Sequence, residues 1–227
     1  MNTLEAIDAR HSVRQYLDKP IEAEKLEKLK VAIEECNKQK KLHIQLVTDE
    51  PNAFGTGMAK YGKFSGINNY IALIGRKGED EAIGYCGEHL VLMAQCMGLN
   101  SCWVGLTFSR QPDKYVIAKG EKLYLVIALG YGATQGVPHP QKKGIDAYYR
   151  NETKSKEIPE WFKQGMEAAL KAPTAVNQQR FEFALQEDNT VVPYVRFTVV
   201  GYGKIDLGIA KYHFEVGAGL ENFKWAK

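Results

Sequence analysis

Ala172-Pro173-Thr174-Ala175-Val176-Asn177-Gln178-Gln179 lies well into the second half of a 227-residue chain, directly behind a helical stretch from Pro159 to Lys171. Pro173 stops that helix, because its ring clashes with the preceding turn and it has no backbone N–H to donate. The Thr, Asn and Gln side chains, with the backbone N–H groups freed there, can hydrogen-bond a polar ring system or a sugar-like chain. Near the N-terminus, Arg10-His11-Ser12-Val13-Arg14 places two guanidinium groups and a hydroxyl within a few residues. That set suits a phosphate, since Arg gives forked, charge-assisted hydrogen bonds. The two stretches read as complementary halves of one site.

Between and around them the chain alternates helices and strands. Thr3 is placed to cap a short helix whose Leu4 and Ile7 face inward, delivering Arg10 to Arg14 at its end. Leu26, Leu29, Ile33 and Cys36 recur at helical spacing, and Leu42 to Thr48 alternates like a half-buried strand. Residues 51–68, rich in Gly, Lys and Tyr, read as an irregular crossing segment before the strand Tyr70 to Gly75. Glu81 to Met97 is apolar on nearly all sides after Glu88, which predicts a central helix ended by Gly98 in a left-handed cap. Leu123 to Leu129, Phe181 to Leu185 and Val191 to Gly201 supply further strands, and Asp206 is placed to cap a last helix through Ile209 and His213. His89 and His213, on apolar helices, read as core histidines. The class implied is α+β, a mainly antiparallel sheet wrapped by helices.

Composition narrows the function. The chain is 44% hydrophobic and can bury a full core, and its 30 basic and 27 acidic residues leave a net charge of only +3. With no basic block interleaved with aromatics, a nucleic-acid partner is not expected. No apolar run approaches the ~20 residues of a membrane span and no signal-peptide core opens the chain, so no membrane role and a cytoplasmic location are expected. Cys36, Cys86, Cys96 and Cys102 lack C-x-x-C or Cys/His ligand spacing, which argues for reduced thiols and against a metal site. The strand leading into Gly130-Tyr131-Gly132-Ala133-Thr134-Gln135-Gly136 is not a dinucleotide fingerprint, because Pro138 and Pro140 forbid the helix that should receive the pyrophosphate.

Four stretches together resemble the nitroreductase family of FMN-dependent oxidoreductases. Arg10 to Arg14 looks like its R-x-S-x-R phosphate segment, and Ala172 to Gln179 like its A-P-S-x-x-N-x-Q-P-W segment bordering the flavin. Gly98-Leu99-Asn100-Ser101-Cys102-Trp103-Val104-Gly105 is similar to G-L-G-x-x-W-x-G, and Val126-Ile127-Ala128-Leu129-Gly130-Tyr131-Gly132 to V-x-A-x-G-Y-P. The resemblance covers nearly the whole chain and implies the nitroreductase-like fold. It also implies FMN, NAD(P)H as electron donor, and hydride transfer through flavin N5 to a small electrophilic acceptor such as a nitroaromatic or quinone. The protein would supply position and electrostatics, with no catalytic acid–base pair. An FMN-binding, redox-sensing module without turnover is the alternative.

The resemblance assigns roles residue by residue. Arg10, His11, Ser12 and Arg14 would hold the phosphate. Lys142 and Lys143 match a position from which basic residues return to it, or are solvated loop charges. Lys63 would lie near the pyrimidine edge of the flavin, or is a surface lysine. Trp103, Val104, Gly105 and Leu106 would run along the isoalloxazine, with Trp103 as plain core the competing reading. Pro173, Thr174, Ala175, Asn177 and Gln179 would close the site, although Gln178-Gln179-Arg180-Phe181 replaces the family's R-Q-P-W and changes the outer edge of that loop.

The order of the motifs departs from an ordinary family member. There the A-P-S-x-x-N stretch follows the first long helix, but here residues 36–43 read Cys-Asn-Lys-Gln-Lys-Lys-Leu-His, and the stretch appears after a second helix. Ile145-Asp146-Ala147-Tyr148-Tyr149 stands where a second R-x-S-x-R belongs. The chain therefore reads as an internal duplication with two pseudo-symmetric halves, residues 1–140 and 141–227, each of which has lost a different half-site. Family members are normally homodimers with two flavins. This pattern resembles the smaller branch labelled putative TM nitroreductases, in which one chain mimics the dimer, and implies a monomer with one FMN.

Overall fold

In the computed structural model, which describes residues 1–55, 61–141 and 143–226, the elements in chain order begin with α1 (Thr3–Ala9), α2 (Ala23–Lys40), β1 (Gln45–Val47), α3 (Asn52–Gly55) and β2 (Asn69–Arg76). They continue with α4 (Asp80–Cys96), β3 (Asn100–Val104), β4 (Glu121–Gly130), β5 (Tyr149–Asn151) and α5 (Glu160–Leu170). The chain closes with β6 (Phe181–Leu185), β7 (Thr190–Val195), α6 (Gly203–Ala218) and β8 (Lys224–Trp225). Two compact units result: residues 1–2, 9–79 and 89–138 form the first, and residues 3–8, 80–88 and 139–227 the second.

The first unit is built on an antiparallel sheet in the order β1-β2-β4-β3. β2 is buried from Asn69 to Gly75, so both its faces are covered. That is why it reads as a continuous apolar run instead of an alternation. On one face Tyr70, Ala72, Ile74, Val126 and Ala128 pack with Phe54, Val104 and Tyr115. A second cluster joins Leu129 to Leu29 of α2 and Ala94 and Leu99 at the end of α4. Each large side chain so buried contributes about 1.5–3 kcal/mol. α2 ends with Lys41 in the left-handed region at φ 55, and Asn37 ties that end to the first strand by exchanging hydrogen bonds with Ile44 at 2.7 and 2.9 Å. α4 ends as expected, with Gly98 at φ 78.

The second unit carries a mixed sheet in the order β5-β6-β7-β8, antiparallel between β6 and β7 and parallel at the two outer pairs. Its core is aromatic: Phe214 of α6 lies 5.0 Å from Phe183 and 5.4 Å from Phe162, centroid to centroid. The opening turns of α4 cross α6 at backbone contact. A Cβ on Gly208 would meet the Glu81 carbonyl oxygen at 2.0 Å, and one on Gly84 the Ile205 carbonyl oxygen at 2.0 Å. His213 is a core histidine, fully buried, with Nδ1 3.0 Å from the Ala168 carbonyl and Nε2 2.8 Å from the Glu88 carboxyl.

Four local expectations are corrected. Leu4 is exposed, and Ala6 with Ile7 forms the inward face of α1. Residues 51–68 are not wholly irregular: Glu50 accepts the N–H groups of Asn52 and Ala53 at 2.9 and 2.8 Å and so nucleates α3. The strand from Val191 stops at Val195, opposite Phe181 where its partner β6 begins, with one further backbone bond from the Arg196 N–H to the Arg180 carbonyl at 2.7 Å. Asp206 is not a cap. α6 starts at Gly203, whose close approach to the Thr198 and Val195 side chains leaves no room for a Cβ, and Asp206 falls within the first turn of the helix, buried.

Candidate functional site

In the first unit, the segment after α1 runs as an extended strip held on both sides. The Val13 N–H donates to the Ser101 carbonyl at 3.0 Å, and the Tyr16 N–H to the Ser65 carbonyl at 2.9 Å. The Ser65 N–H donates back to the Arg14 carbonyl at 3.0 Å, and the Leu17 N–H to Tyr131 at 2.8 Å. Along the strip Val13 and Tyr16 are buried, while Ser12, Arg14 and Gln15 are exposed. The Arg14 guanidinium sits 6.0 Å from the centre of the Phe64 ring. Arg10, only 3% exposed, is the inner arginine. The Cys102 thiol beneath the strip registers this field: burial pushes its pKa up, while Arg14, a hydrogen bond with Ser12, and Arg10 pull it down. The strip is thus an electropositive cradle with a hydroxyl at its centre.

The strand end at Gly130 to Gly136 exists in this form because the strip must pass it closely. A Cβ on Gly132 would fall 2.7 Å from Asn100 Oδ1 and 2.9 Å from Val13, and one on Gly136, at φ 72, would fall 2.8 Å from His11 Cβ. Asn100 accepts the Gly132 N–H at 2.9 Å and donates to Gln135 at 3.1 Å, fastening the strand end to β3. Asn100 was not assigned a role from sequence, although it lies inside one of the quoted motifs.

The remaining assigned residues of this unit fall nearby in two groups. Trp103 and Gly105 are half-buried and Leu106 is 72% exposed, whereas the Val104 side chain belongs to the core cluster with Cys102 and leaves only its backbone for a ligand. Lys63 is exposed at φ 55. It follows Gly62, whose Cβ would meet Phe64 at 2.4 Å and Thr107 Oγ1 at 2.8 Å, so its segment lies against the loop that continues from Leu106.

In the second unit, Pro173 follows the end of α5 and the chain then folds through a tight turn at Ala175–Asn177. Three residues without glycine's freedom occupy the left-handed region: Val176 at φ 47, Asn177 at φ 52 and Gln179 at φ 48. For a β-branched residue such as Val176 that is a strained conformation, costing on the order of 1–3 kcal/mol. Hydrogen bonds hold it. The Asn177 N–H donates to the Thr174 carbonyl at 2.9 Å, and the Gln179 N–H to Thr174 Oγ1 at 3.0 Å. Asp206 accepts the Ala175 N–H at 3.0 Å and the Gln178 amide at 2.6 Å. Burial pushes the Asp206 carboxyl up to about 6 against the pull of those two bonds.

Asn177 donates to the Pro140 carbonyl at 3.1 Å, which joins this turn to the loop leading to Lys143, an exposed residue; Lys142 lies outside the described residues. Gln179 is buried, its amide N–H group directed at the Ala172 carbonyl at 3.2 Å, and its Oε1 accepts no hydrogen bond. A buried acceptor left without a donor costs about 1–3 kcal/mol. A ligand carrying an N–H or hydroxyl donor relieves that cost. His139 Nε2 lies 3.1 Å from the Leu170 carbonyl and 3.4 Å from the Gln179 amide, a neighbour that no sequence motif had singled out.

With this geometry in hand, comparison with known proteins is informative. A family model described as "Putative TM nitroreductase" matches residues 2–218. A putative nitroreductase from Thermotoga maritima MSB8 shares the fold with a TM-score of 0.65 at 22% identity, over 96% of this chain and 83% of its own. A putative NADH dehydrogenase/NAD(P)H nitroreductase from Parabacteroides distasonis ATCC 8503 aligns at 25% identity and TM-score 0.48, over 64% of this chain and 96% of its own. A nitroreductase with bound FMN from Bacteroides fragilis NCTC 9343 aligns at 22% identity and TM-score 0.44, over 63% of this chain and 94% of its own. No curated protein matches the chain.

Proposed function

This chain belongs to the putative TM nitroreductase family and is a nitroreductase-type oxidoreductase, and from that premise we propose that it binds FMN and passes hydride from NAD(P)H to a small electrophile such as a nitroaromatic or quinone, in the cytoplasm. The observation that carries this reading is the strip at residues 10–14, pinned by backbone bonds so that Arg10, Ser12 and Arg14 form one cationic cradle. A phosphate monoester is the ligand chemistry such a donor set favours. The residues of the second unit fit the rest of FMN, which carries N–H and hydroxyl donors able to satisfy the buried Gln179 Oε1.

Arg10, His11, Ser12 and Arg14 hold the phosphate in this reading, with Lys143 and Lys142 returning toward it. Trp103, Gly105, Leu106 and the Val104 backbone are assigned to the ring in this reading, as are Pro173, Thr174, Ala175, Asn177 and Gln179. Lys63 supplies a positive charge that favours electron density on the ring. When bound, FMN supplies the atom that accepts and returns hydride, and the chain's own part is orientation, exclusion of water and charge.

One FMN per chain, held without a second subunit, completes the proposal. The position where a first copy would carry the A-P-T-type loop is used instead for the Asn37 tie and the Lys41 turn that join α2 to β1. The position where a second copy would carry arginines is the turn Ile145–Ala147. The absorption spectrum of the purified protein tests the cofactor, and steady-state NADH or NADPH oxidation with a nitroaromatic tests turnover. A colourless protein that takes up no added FMN overturns the reading. Bound flavin without turnover would leave the redox-sensing module in its place.

A further inference from the structure

The most unusual side chain outside the family's motifs is Asp206. It is 3% exposed, sits in the first turn of α6, and makes its two polar contacts to the loop rather than to its own helix. Those contacts fall at the two ends of the strained residue: the Ala175 N–H lies just before Val176 and the Gln178 amide just after Asn177. A left-handed valine, 78% exposed and making no core contact of its own, persists only where its surroundings over-determine the turn. The buried carboxylate is the group that does so.

We propose that Asp206 is the positioning residue of the flavin loop: by accepting the Ala175 N–H and the Gln178 amide, its carboxylate holds residues 174–179 in the turn that presents Asn177 and Gln179 to FMN. This rests on the FMN reading above for its ligand, though the clamp on the loop does not. Burial in the closed turn disfavours the ionised carboxyl by more than the two hydrogen bonds favour it, so the closed turn and the bound proton support each other.

Among the described charged groups on α6 and the α4 segment that crosses it, Glu81 is paired with Lys211, Glu88 with His213, and Glu215 with Tyr85 and Trp225. Besides burial, only the Gln178 and Ala175 hydrogen bonds move the Asp206 carboxyl, which titrates at about 6. Burial raises the carboxyl only while the turn is closed over it, so the closed turn takes up the proton and FMN affinity of the native protein should rise several-fold as pH drops from 7.5 to 5.

Two measurements on Asp206→Asn and Asp206→Ala decide the matter: FMN binding by flavin fluorescence between pH 5 and 8, and amide hydrogen exchange of residues 174–179 without flavin. Asparagine mimics the protonated acid, so Asp206→Asn should bind at the native protein's acid level across the whole range. Asp206→Ala should bind roughly tenfold or more weakly than native at pH 7.5, the loss expected for a charged hydrogen-bond acceptor, and should lose exchange protection at Ala175, Asn177 and Gln178. Should Asp206→Ala fail to fold, the asparagine variant and the native pH profile carry the test. Native affinity and native pH dependence in Asp206→Asn, or unchanged protection in Asp206→Ala, overturn the proposal. If the native protein takes up no FMN at all, it is the FMN reading that falls, and the exchange measurement still decides the clamp.

Discussion

Arg10 and Arg14 look interchangeable in the motif and are not interchangeable in the protein. Arg10 is buried and Arg14 exposed, so removing Arg10 disturbs packing as well as charge, and Arg14→Ala is the cleaner test of the phosphate cradle. Loss of a charge-assisted contact worth about 1.5–3 kcal/mol should weaken FMN binding roughly 10- to 100-fold in a fluorescence titration, with the melting temperature unchanged. Lys63→Gln keeps FMN bound and removes a cation at a φ the backbone already tolerates. If that cation faces the ring, the flavin midpoint potential drops by about 20 mV, or on the order of 1 kcal/mol; an unmoved potential makes Lys63 a surface lysine. Asp206 carries a sign of its own. Its folded pKa of about 6 stands above its ordinary value of 3.8, so between those values the native state holds the extra proton. This group therefore makes the fold more stable as pH falls from 7 toward 4, and its ionised form costs about 3 kcal/mol at neutral pH. Asp206→Asn should raise the melting temperature at pH 7.5 and lose that advantage near pH 4, and the native protein's FMN affinity should move in the same direction as its stability. A variant less stable than native at both pH values contradicts this account.

At the scale of elements, what could be read from sequence was whatever burial writes locally. β2 and β4 are legible because their central residues, 70–75 and 125–130, are buried and nearly all apolar, and the end of α4 because Gly98 stands where a left-handed cap belongs. α3 was not legible: its first N–H groups are capped by Glu50, a residue type that ordinarily signals nothing there. Asp206 was misread for the converse reason, since Asp ahead of an apolar helix usually caps it, whereas the helix starts at Gly203, packed against Thr198 and Val195, with its cap position four residues earlier at Tyr202. The crossing of α4 and α6 left no local pattern either, because it depends on single glycines meeting the backbone of a segment more than a hundred residues away. Gly208→Ala should expose that dependence. Its Cβ would lie 2.0 Å from the Glu81 carbonyl oxygen, and forcing the helices apart costs at least about 1–3 kcal/mol, read as a lowered melting temperature. An alanine variant as stable as native would show that the crossing can shift at no cost.

At the scale of the whole molecule, the sequence carried the candidate site as motifs and left the partition of the chain unwritten. The candidate segments at residues 10–14 and 172–179 were quoted from residue type and order, yet the second unit includes residues 3–8 and 80–88, segments whose membership no periodicity announces. What the chain-wide order of motifs does predict is stoichiometry. The first-copy position that could hold an A-P-T-type loop is consumed by the Asn37 tie, and the second-copy position that could hold arginines is the turn Ile145–Ala147. On the function proposed above, one arginine strip and one loop at residues 172–179 remain, the complement of a single FMN. The expected result is therefore one FMN per chain by flavin absorbance against protein concentration, retained in a species that sedimentation or light scattering shows to be a monomer. Further self-association would add nothing to the site, so dilution through any dimer dissociation should leave the flavin bound. Two flavins per chain, or flavin released in step with dissociation, would mean that the decayed half-sites are still used across a subunit interface, and the fused-dimer reading would have to be abandoned.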